Sequence, residues 1–241
     1  MVTLFSEKSR GSYTTAQTFI RTPPFRGAVR QRELEMLLQK VEGHPRPRAA
    51  LEQYQTPATI AAEVLYFAHG KGDIQGRLVL DAGCGTGILG IGAKLLGAAE
   101  VIALDLDEEA LGVAMKNART LGVDLSLLTV DILDFPETVD TVLQNPPFGA
   151  QKKHADEPFL EHAMKVAGVV YSFHNAETEE WVASKVAAQG AVVTDRLRFA
   201  FPIPHTFEFH RKERVDVPVT LFRIEGRPQT VKSGTRHRAA S

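Results

Sequence analysis

At 241 residues the chain is long enough for one sizeable α/β domain with extensions, or for two small domains. Its 44% hydrophobic and 24% charged content is that of an ordinary globular protein, and no apolar run nears the ~18–20 residues of a membrane span. A single cysteine, Cys84, excludes an intrachain disulfide and a cysteine-based metal cluster, and the net charge of −1 conceals basic ends on an acidic body.

Residues 1–32 carry Lys8, Arg10, Arg21, Arg26, Arg30 and Arg32 against Glu7, and show no sustained hydrophobic period. They read as a basic, poorly ordered extension. Residues 226–241 add Arg227, Lys232, Arg236 and Arg238 with no acid, and read as a basic tail. Basic ends on an acidic body suit a polyanionic partner gripped at its edges, and equally suit solvated termini. No secretory pattern opens the chain, so cytoplasmic residence is the default expectation.

The domain proper is read as 33–225. From Arg32 to Val41 the apolar positions Leu34, Leu37, Leu38 and Val41 repeat at helical spacing. After Pro45 and Pro47, Thr56 is placed to N-cap a second helix with Pro57 at its first position, running through Ile60, Val64 and Phe67. Leu78 to Asp81 is a short buried strand, followed by Ala82-Gly83-Cys84-Gly85-Thr86-Gly87 and a helix from Ile88 to Leu96. Strands then end at Asp105, Asp131 and Leu143, with a helix from Glu108 to Leu121. A fifth strand lies within Ala163 to Ser172, a helix in Thr178 to Gln189, and the last two strands in Ala191 to Phe201 and Val215 to Ile224. This alternation predicts a doubly wound, mostly parallel α/β sheet.

A strand, a glycine-rich turn and a helix make a nucleotide site, because glycine admits the ligand to the backbone and the helix N-terminus offers free N–H groups. Two frames compete. Gly85-Thr86-Gly87-Ile88-Leu89-Gly90 fits a dinucleotide fingerprint, with Asp105 as the ribose acid. Asp81-Ala82-Gly83-Cys84-Gly85-Thr86-Gly87 resembles the first motif of class I S-adenosylmethionine-dependent methyltransferases. The later strand tips decide between them. In that family the second tip binds ribose (Asp105), the third contacts adenine (Asp131, with Ile132 packing on the ring), and the fourth carries the catalytic turn. Here the fourth tip is Asn145-Pro146-Pro147-Phe148. A nicotinamide enzyme has no use for that turn.

In amino-methyltransferases with this motif, the Asn145 side-chain oxygen and the Pro146 carbonyl would accept the two hydrogens of a planar amine, with Phe148 stacked on the base. Positioning then carries the rate, without a strong general base. The motif alone admits adenine N6, cytosine N4 or a glutamine side chain. Gln53-Tyr54-x-Thr56, Asn145-Pro146-Pro147-Phe148-Gly149, Val170-Tyr171-Ser172-Phe173-His174 and Phe207-Glu208-Phe209-His210-Arg211-Lys212 together resemble the methyltransferase-like protein 5 family, which N6-methylates an adenosine of small-subunit ribosomal RNA. The resemblance implies a Rossmann-like, seven-stranded sheet whose last strand is antiparallel. It also implies a donor site made of Gln53, Tyr54, Thr56, Asp81, Gly83, Gly85, Thr86, Gly87, Ile88, Asp105, Asp131, Ile132 and Asn145.

Asn145, Pro146, Pro147 and Phe148 would form the catalytic turn. Phe148, Lys152, Lys153, His210, Arg211 and Lys212 would contact RNA, basic groups holding phosphate and aromatic rings stacking on bases. Phe199 and Phe201 read as core residues of a strand. No metal is implied, since the eight histidines show no zinc-type spacing. The implied partners are ribosomal RNA or a pre-ribosomal particle and a small zinc-binding activator protein, without a membrane. The rival readings are a protein glutamine-N5 methyltransferase, which usually carries a separate helical domain ahead of the core, and a catalytically idle RNA-binding subunit.

Overall fold

Short apolar runs separated by amphipathic ones build a parallel sheet covered on both faces. The computed structural model describes residues 29–48, 53–147, 155–204 and 214–226, together with the backbone of 3–5. Its strands are β1 (Thr3–Phe5), β2 (Leu78–Ala82), β3 (Glu100–Asp105), β4 (Ser126–Thr129), β5 (Val139–Gln144), β6 (Ala167–Asn175), β7 (Val192–Pro204) and β8 (Arg214–Glu225). The helices are α1 (Gln31–Leu38), α2 (Ala58–Gly70), α3 (Ile88–Leu95), α4 (Glu108–Thr120), α5 (Glu157–Val166) and α6 (Glu179–Ala188).

The sheet order is β1-β4-β3-β2-β5-β6-β8-β7. Only β8 is reversed, running antiparallel to both β6 and β7. All seven expected strands are present with the last antiparallel. The three-residue β1 adds an eighth at the β4 edge, with Thr3 opposite Ser126. It comes from the stretch read as a loose extension. Core packing also reaches back before residue 33: Val29 is buried, and α1 starts at Gln31.

The chain builds outward from β2 to β3 and β4, then crosses back to β5 and β6. The reversal opens a crevice at the carboxyl ends of β2 and β5, where ligands of open α/β sheets bind. Period-two alternation divides the core between the two faces. Val79, Tyr171, Phe173, Phe201 and Leu221 face α1 to α4, whereas Leu80, Ala82, Val170, Phe222 and Ile224 face α5 and α6. Phe201 and Phe199 pack on Phe173 with ring centroids 6.2 and 6.1 Å apart, as the strand reading expected.

Helix α3 is buried nearly all round because α1 and α2 cover its outer side. Gly92 makes that layer possible. A Cβ there would lie 2.3 Å from Leu65 Cδ1 of α2. Among the described residues, no helix is long and apolar enough to cross a membrane.

Candidate active site

The glycine loop after β2 takes a shape that side chains other than glycine rarely adopt: φ is +67° at Gly83, +53° at Gly85 and +84° at Gly87. Backbone and side-chain bonds pin it. Cys84 N–H donates to the Leu104 carbonyl at 2.9 Å, Gly85 N–H to Asp105 Oδ2 at 2.8 Å, and Asn117 Nδ2 to the Thr86 carbonyl at 3.0 Å. Asp81, at the end of β2, accepts the Gly90 N–H of α3 on Oδ2 at 2.7 Å. Burial pushes its carboxyl up to about 7, against the pull of that N–H. A carboxyl that titrates near neutrality responds to any charge placed beside it.

The other strand tips converge on the same space. Asp105 accepts backbone N–H bonds on both oxygens, from Gly85 and from Asp107, while burial raises its carboxyl above the ordinary value. Asp131 caps a short turn at Ile132–Asp134 by accepting the Leu133 N–H at 3.0 Å, which turns buried Ile132 into the crevice. Asn145 follows β5. Its Nδ2 donates to Thr56 Oγ1 at 3.0 Å, and its Oδ1 is buried with no hydrogen-bond partner among the described residues.

These tips enclose a cavity of about 280 Å³, at the lower end of small-molecule sites. Every donor-site residue expected from the sequence lines it except Gly87, and so do Pro146 and Pro147. Gly87 instead turns the chain into α3 against α4, where a Cβ would lie 3.2 Å from that of Ala114. Its part is to shape the loop. Thr56 also departs from expectation. The residue capping α2 is Pro57, without a side-chain cap, and the Thr56 hydroxyl serves Asn145. Gln53 lines the cavity with its amide already engaged, Nε2 on Asp107 at 2.8 Å and Oε1 receiving Arg48 N–H at 2.9 Å. Phe148, Lys152, Lys153, His210, Arg211 and Lys212 lie outside the described residues. Arg198, on β7, is paired with Glu179 at 2.8 Å.

Sequence reasoning missed the strap at residues 41–48. His44, Arg48 and Gln53 converge on Asp107 Oδ2 at 3.3, 2.8 and 2.8 Å, and Arg46 reaches Glu109 at 2.8 Å. Burial opposes the charged form of Asp107, but the bonds from Gln53, Arg48 and the first N–H groups of α4 outweigh it and hold its carboxyl well below the usual range. Asn117 ties the strap to the glycine loop, receiving Glu42 N–H and donating to the Glu42 and Thr86 carbonyls, each at 3.0 Å. His44, Asp107 and Glu109 bring ligand atoms within 4.8 Å of one another. Arginines already neutralise both acids of that group. The one local signal was Asp107 as the N-cap of α4; its partners lie 54 to 63 residues back.

The arrangement suits S-adenosylmethionine. Three strand-tip acids face a ligand bearing cationic and hydroxyl groups, Ile88, Leu106 and Ile132 offer apolar walls, and a buried acceptor waits at Asn145.

Residues 65–145 match the ribosomal protein L11 methyltransferase (PrmA) family, a match confined to the donor-binding part of the sheet. The chain is 34% identical over 204 residues to rRNA N(6)-adenosine-methyltransferase METTL5 of Danio rerio, covering 81% of this chain and 99% of that one. A crystal structure of a candidate RNA methyltransferase from Pyrococcus horikoshii superposes with a TM-score of 0.77 at 42% identity, covering 82% of this chain and 98% of the other. Magnesium protoporphyrin IX methyltransferase from Synechocystis, crystallised with bound S-adenosylmethionine, shares the fold alone: 16% identity, TM-score 0.59, covering 80% and 90% of the two chains. Strand order, donor cavity and relatedness along most of its length agree that this chain belongs to the METTL5 family of S-adenosylmethionine-dependent methyltransferases.

Proposed function

We propose that this protein transfers a methyl group from S-adenosylmethionine to the N6 amine of an adenosine in small-subunit ribosomal RNA, as free RNA or within a pre-ribosomal particle in the cytoplasm. The observation that carries this reading is the Asn145 amide. Its nitrogen is held by Thr56, and its oxygen is buried and unpartnered among the described residues in the wall of the donor cavity. Leaving such an acceptor unpaired costs roughly 1–3 kcal/mol. A catalytically idle chain has no reason to keep it.

Bound in the cavity, S-adenosylmethionine supplies a methyl group activated as a sulfonium. Asp81, Asp105 and Asp131 set negative charge around that site. Asn145 Oδ1 and the Pro146 carbonyl accept the two hydrogens of the adenine amine and turn its lone pair toward the methyl carbon. That lone pair would form the new N–C bond as the methyl–sulfur bond breaks and the neutral thioether S-adenosylhomocysteine departs, and the surplus proton would pass to water. Orientation and charge placement carry the rate, so no strong base is needed. Phe148 is assigned to stack on the base. Lys152, Lys153, His210, Arg211 and Lys212 are assigned to phosphate, and a small zinc-binding activator protein is a proposed partner.

A glutamine side chain offers the same planar NH2 group, so the turn by itself accepts a protein substrate. The relatedness to an rRNA methyltransferase over 81% of this chain favours RNA. The test is methyl transfer from labelled donor to small-subunit ribosomal RNA lacking the modification, with nucleosides identified by mass spectrometry and Asn145→Ala as control. N6-methyladenosine from the wild type alone is the expected result. A methylated protein with no RNA product, with and without the activator, would overturn the reading.

A further inference from the structure

Directly behind the catalytic turn lies a chain of four polar side chains that the methyl-transfer chemistry does not use. Gln144, Ser172 and His174 are fully buried, and Asp156 is 3% exposed. Gln144 Nε2 donates to Ser172 Oγ at 2.9 Å, Ser172 Oγ meets His174 Nε2 at 2.7 Å, and His174 Nδ1 meets Asp156 Oδ2 at 2.5 Å.

The directions follow from the ends. The Asp156 carboxylate only accepts, so His174 Nδ1 carries the hydrogen. In the tautomer hydrogenated at Nδ1, Nε2 accepts the Ser172 O–H, and the serine oxygen accepts from Gln144. The order resembles a hydrolytic Ser-His-Asp relay, but the serine is inaccessible and already occupied, so it has no nucleophilic role. Nor is stability a sufficient reason for it. Buried polar groups exchanged for apolar ones of similar shape are often neutral or stabilising.

The placement is informative. Gln144 is the last residue of β5 before Asn145, and it sits opposite Ser172 in the β5–β6 ladder. Asp156 immediately precedes α5, at the far end of the segment that the Asn-Pro-Pro-Phe turn begins. The chain therefore bolts together both ends of that segment through β6. The His174 ring is itself held edge-on to Phe222, with centroids 5.7 Å apart.

We propose that Ser172, His174 and Asp156 are positioning residues for methyl transfer, a buried relay that fixes the Gln144–Asn145 strand end so that the Asn145 acceptor meets the amine. The proposal rests on the functional reading above. Reaction geometry of this kind is sensitive to displacements of ~1 Å. The relay is directional, so each link depends on the next.

The test uses the full chain with Ser172→Ala, Ser172→Thr and Asp156→Asn. Single-turnover methyl transfer is measured at saturating donor and RNA, and donor affinity by calorimetry. Ser172→Ala is expected to slow transfer by about tenfold or more while donor Kd stays within about twofold, and Ser172→Thr, which keeps the hydroxyl, to recover most of the rate. Asp156→Asn keeps the shape and loses the charge, and is expected to slow transfer similarly. A Ser172→Ala rate within about twofold of wild type, or a donor affinity that falls in step with the rate, overturns the proposal. Hydrogen exchange gives a readout that does not need the RNA reaction. The amides of Gln144 and Asn145 are expected to exchange faster in Ser172→Ala and to recover in Ser172→Thr, with the Gly83–Gly87 loop unchanged. If the wild type fails to methylate RNA the functional reading falls, and unchanged exchange at Gln144 and Asn145 in Ser172→Ala overturns the relay separately.

Discussion

Asn145 and Thr56 stand 89 positions apart in the chain and 3.0 Å apart in the fold, the threonine hydroxyl accepting from the asparagine nitrogen while the buried amide oxygen has no partner among the described residues. Thr56→Val removes that acceptor and nothing of similar size. The amide is then free to rotate and to present a donor where an acceptor is needed. Transfer is expected to slow by about tenfold, the equivalent of ~1.4 kcal/mol, within the range for unpairing one buried polar group. Asn145→Ala removes both atoms and is expected to cost roughly 100- to 1,000-fold, as loss of one preorganised electrostatic contact does elsewhere. Single-turnover rates measure both.

Asp81 is expected to make donor binding and stability depend on pH. Its ordinary value is 3.8, and burial holds its proton in the fold until about 7. The folded state binds more protons than the unfolded one across that window, so the contribution of this group to stability falls as pH rises through it. Asp81→Asn keeps an acceptor for Gly90 and is expected to flatten the dependence of thermal midpoint on pH between about 4 and 7. A cationic donor favours the charged carboxylate, so binding at a pH slightly below 7 is expected to release a proton. Calorimetry in buffers of different ionisation enthalpy detects the release, and Asp81→Asn abolishes it.

At Gly92 the side chain of Leu65 on α2 fills the space that a Cβ on α3 would take. In Gly92→Ala the new methyl would lie 2.3 Å from Leu65 Cδ1 and 3.4 Å from Leu38 Cδ1, both in fully buried side chains. Overpacking is expected to destabilise by about 1–3 kcal/mol, more than the ~1 kcal/mol that alanine returns in helix propensity. Leu65→Ala in the same chain makes room. Denaturant unfolding should find the double variant less destabilised than the two single changes add up to.

Asn117 brackets the strap and the glycine loop with three hydrogen bonds from one buried amide. Asn117→Ala leaves the Glu42 and Thr86 backbone groups without those partners. The expected cost is ~1–3 kcal/mol of stability. Donor affinity falls as well, because the loop and the strap both line the cavity. Calorimetry on the folded variant separates the two effects.

The sheet and the four strand-tip residues that line the cavity were legible in the sequence because each is a local signal. Leu78 to Asp81 ends at glycines that only a tight phosphate- or nucleoside-type turn requires, and Asp105, Asp131 and Asn145 each close a short apolar run. Strand ends of a parallel sheet open on one crevice, so naming the tips already named the pocket. Local reading failed where a residue's partner is remote. Thr56 looked like a helix cap because Ser or Thr before Pro at a helix start usually is one. Gly87 looked like a donor contact because it belongs to the motif, although the space it yields is filled by Ala114.

By itself, then, the sequence determined the alternation of seven strands with helices, the residues at the strand ends and the family, since periodicity and short motifs are written in neighbouring residues. Only the tertiary structure decided that Thr56 orients Asn145, that Asp107 gathers His44, Arg48 and Gln53, and that Asp156, His174, Ser172 and Gln144 join in one buried relay. Each of these depends on which side chains the fold brings within hydrogen-bonding reach, and no local pattern encodes that distance.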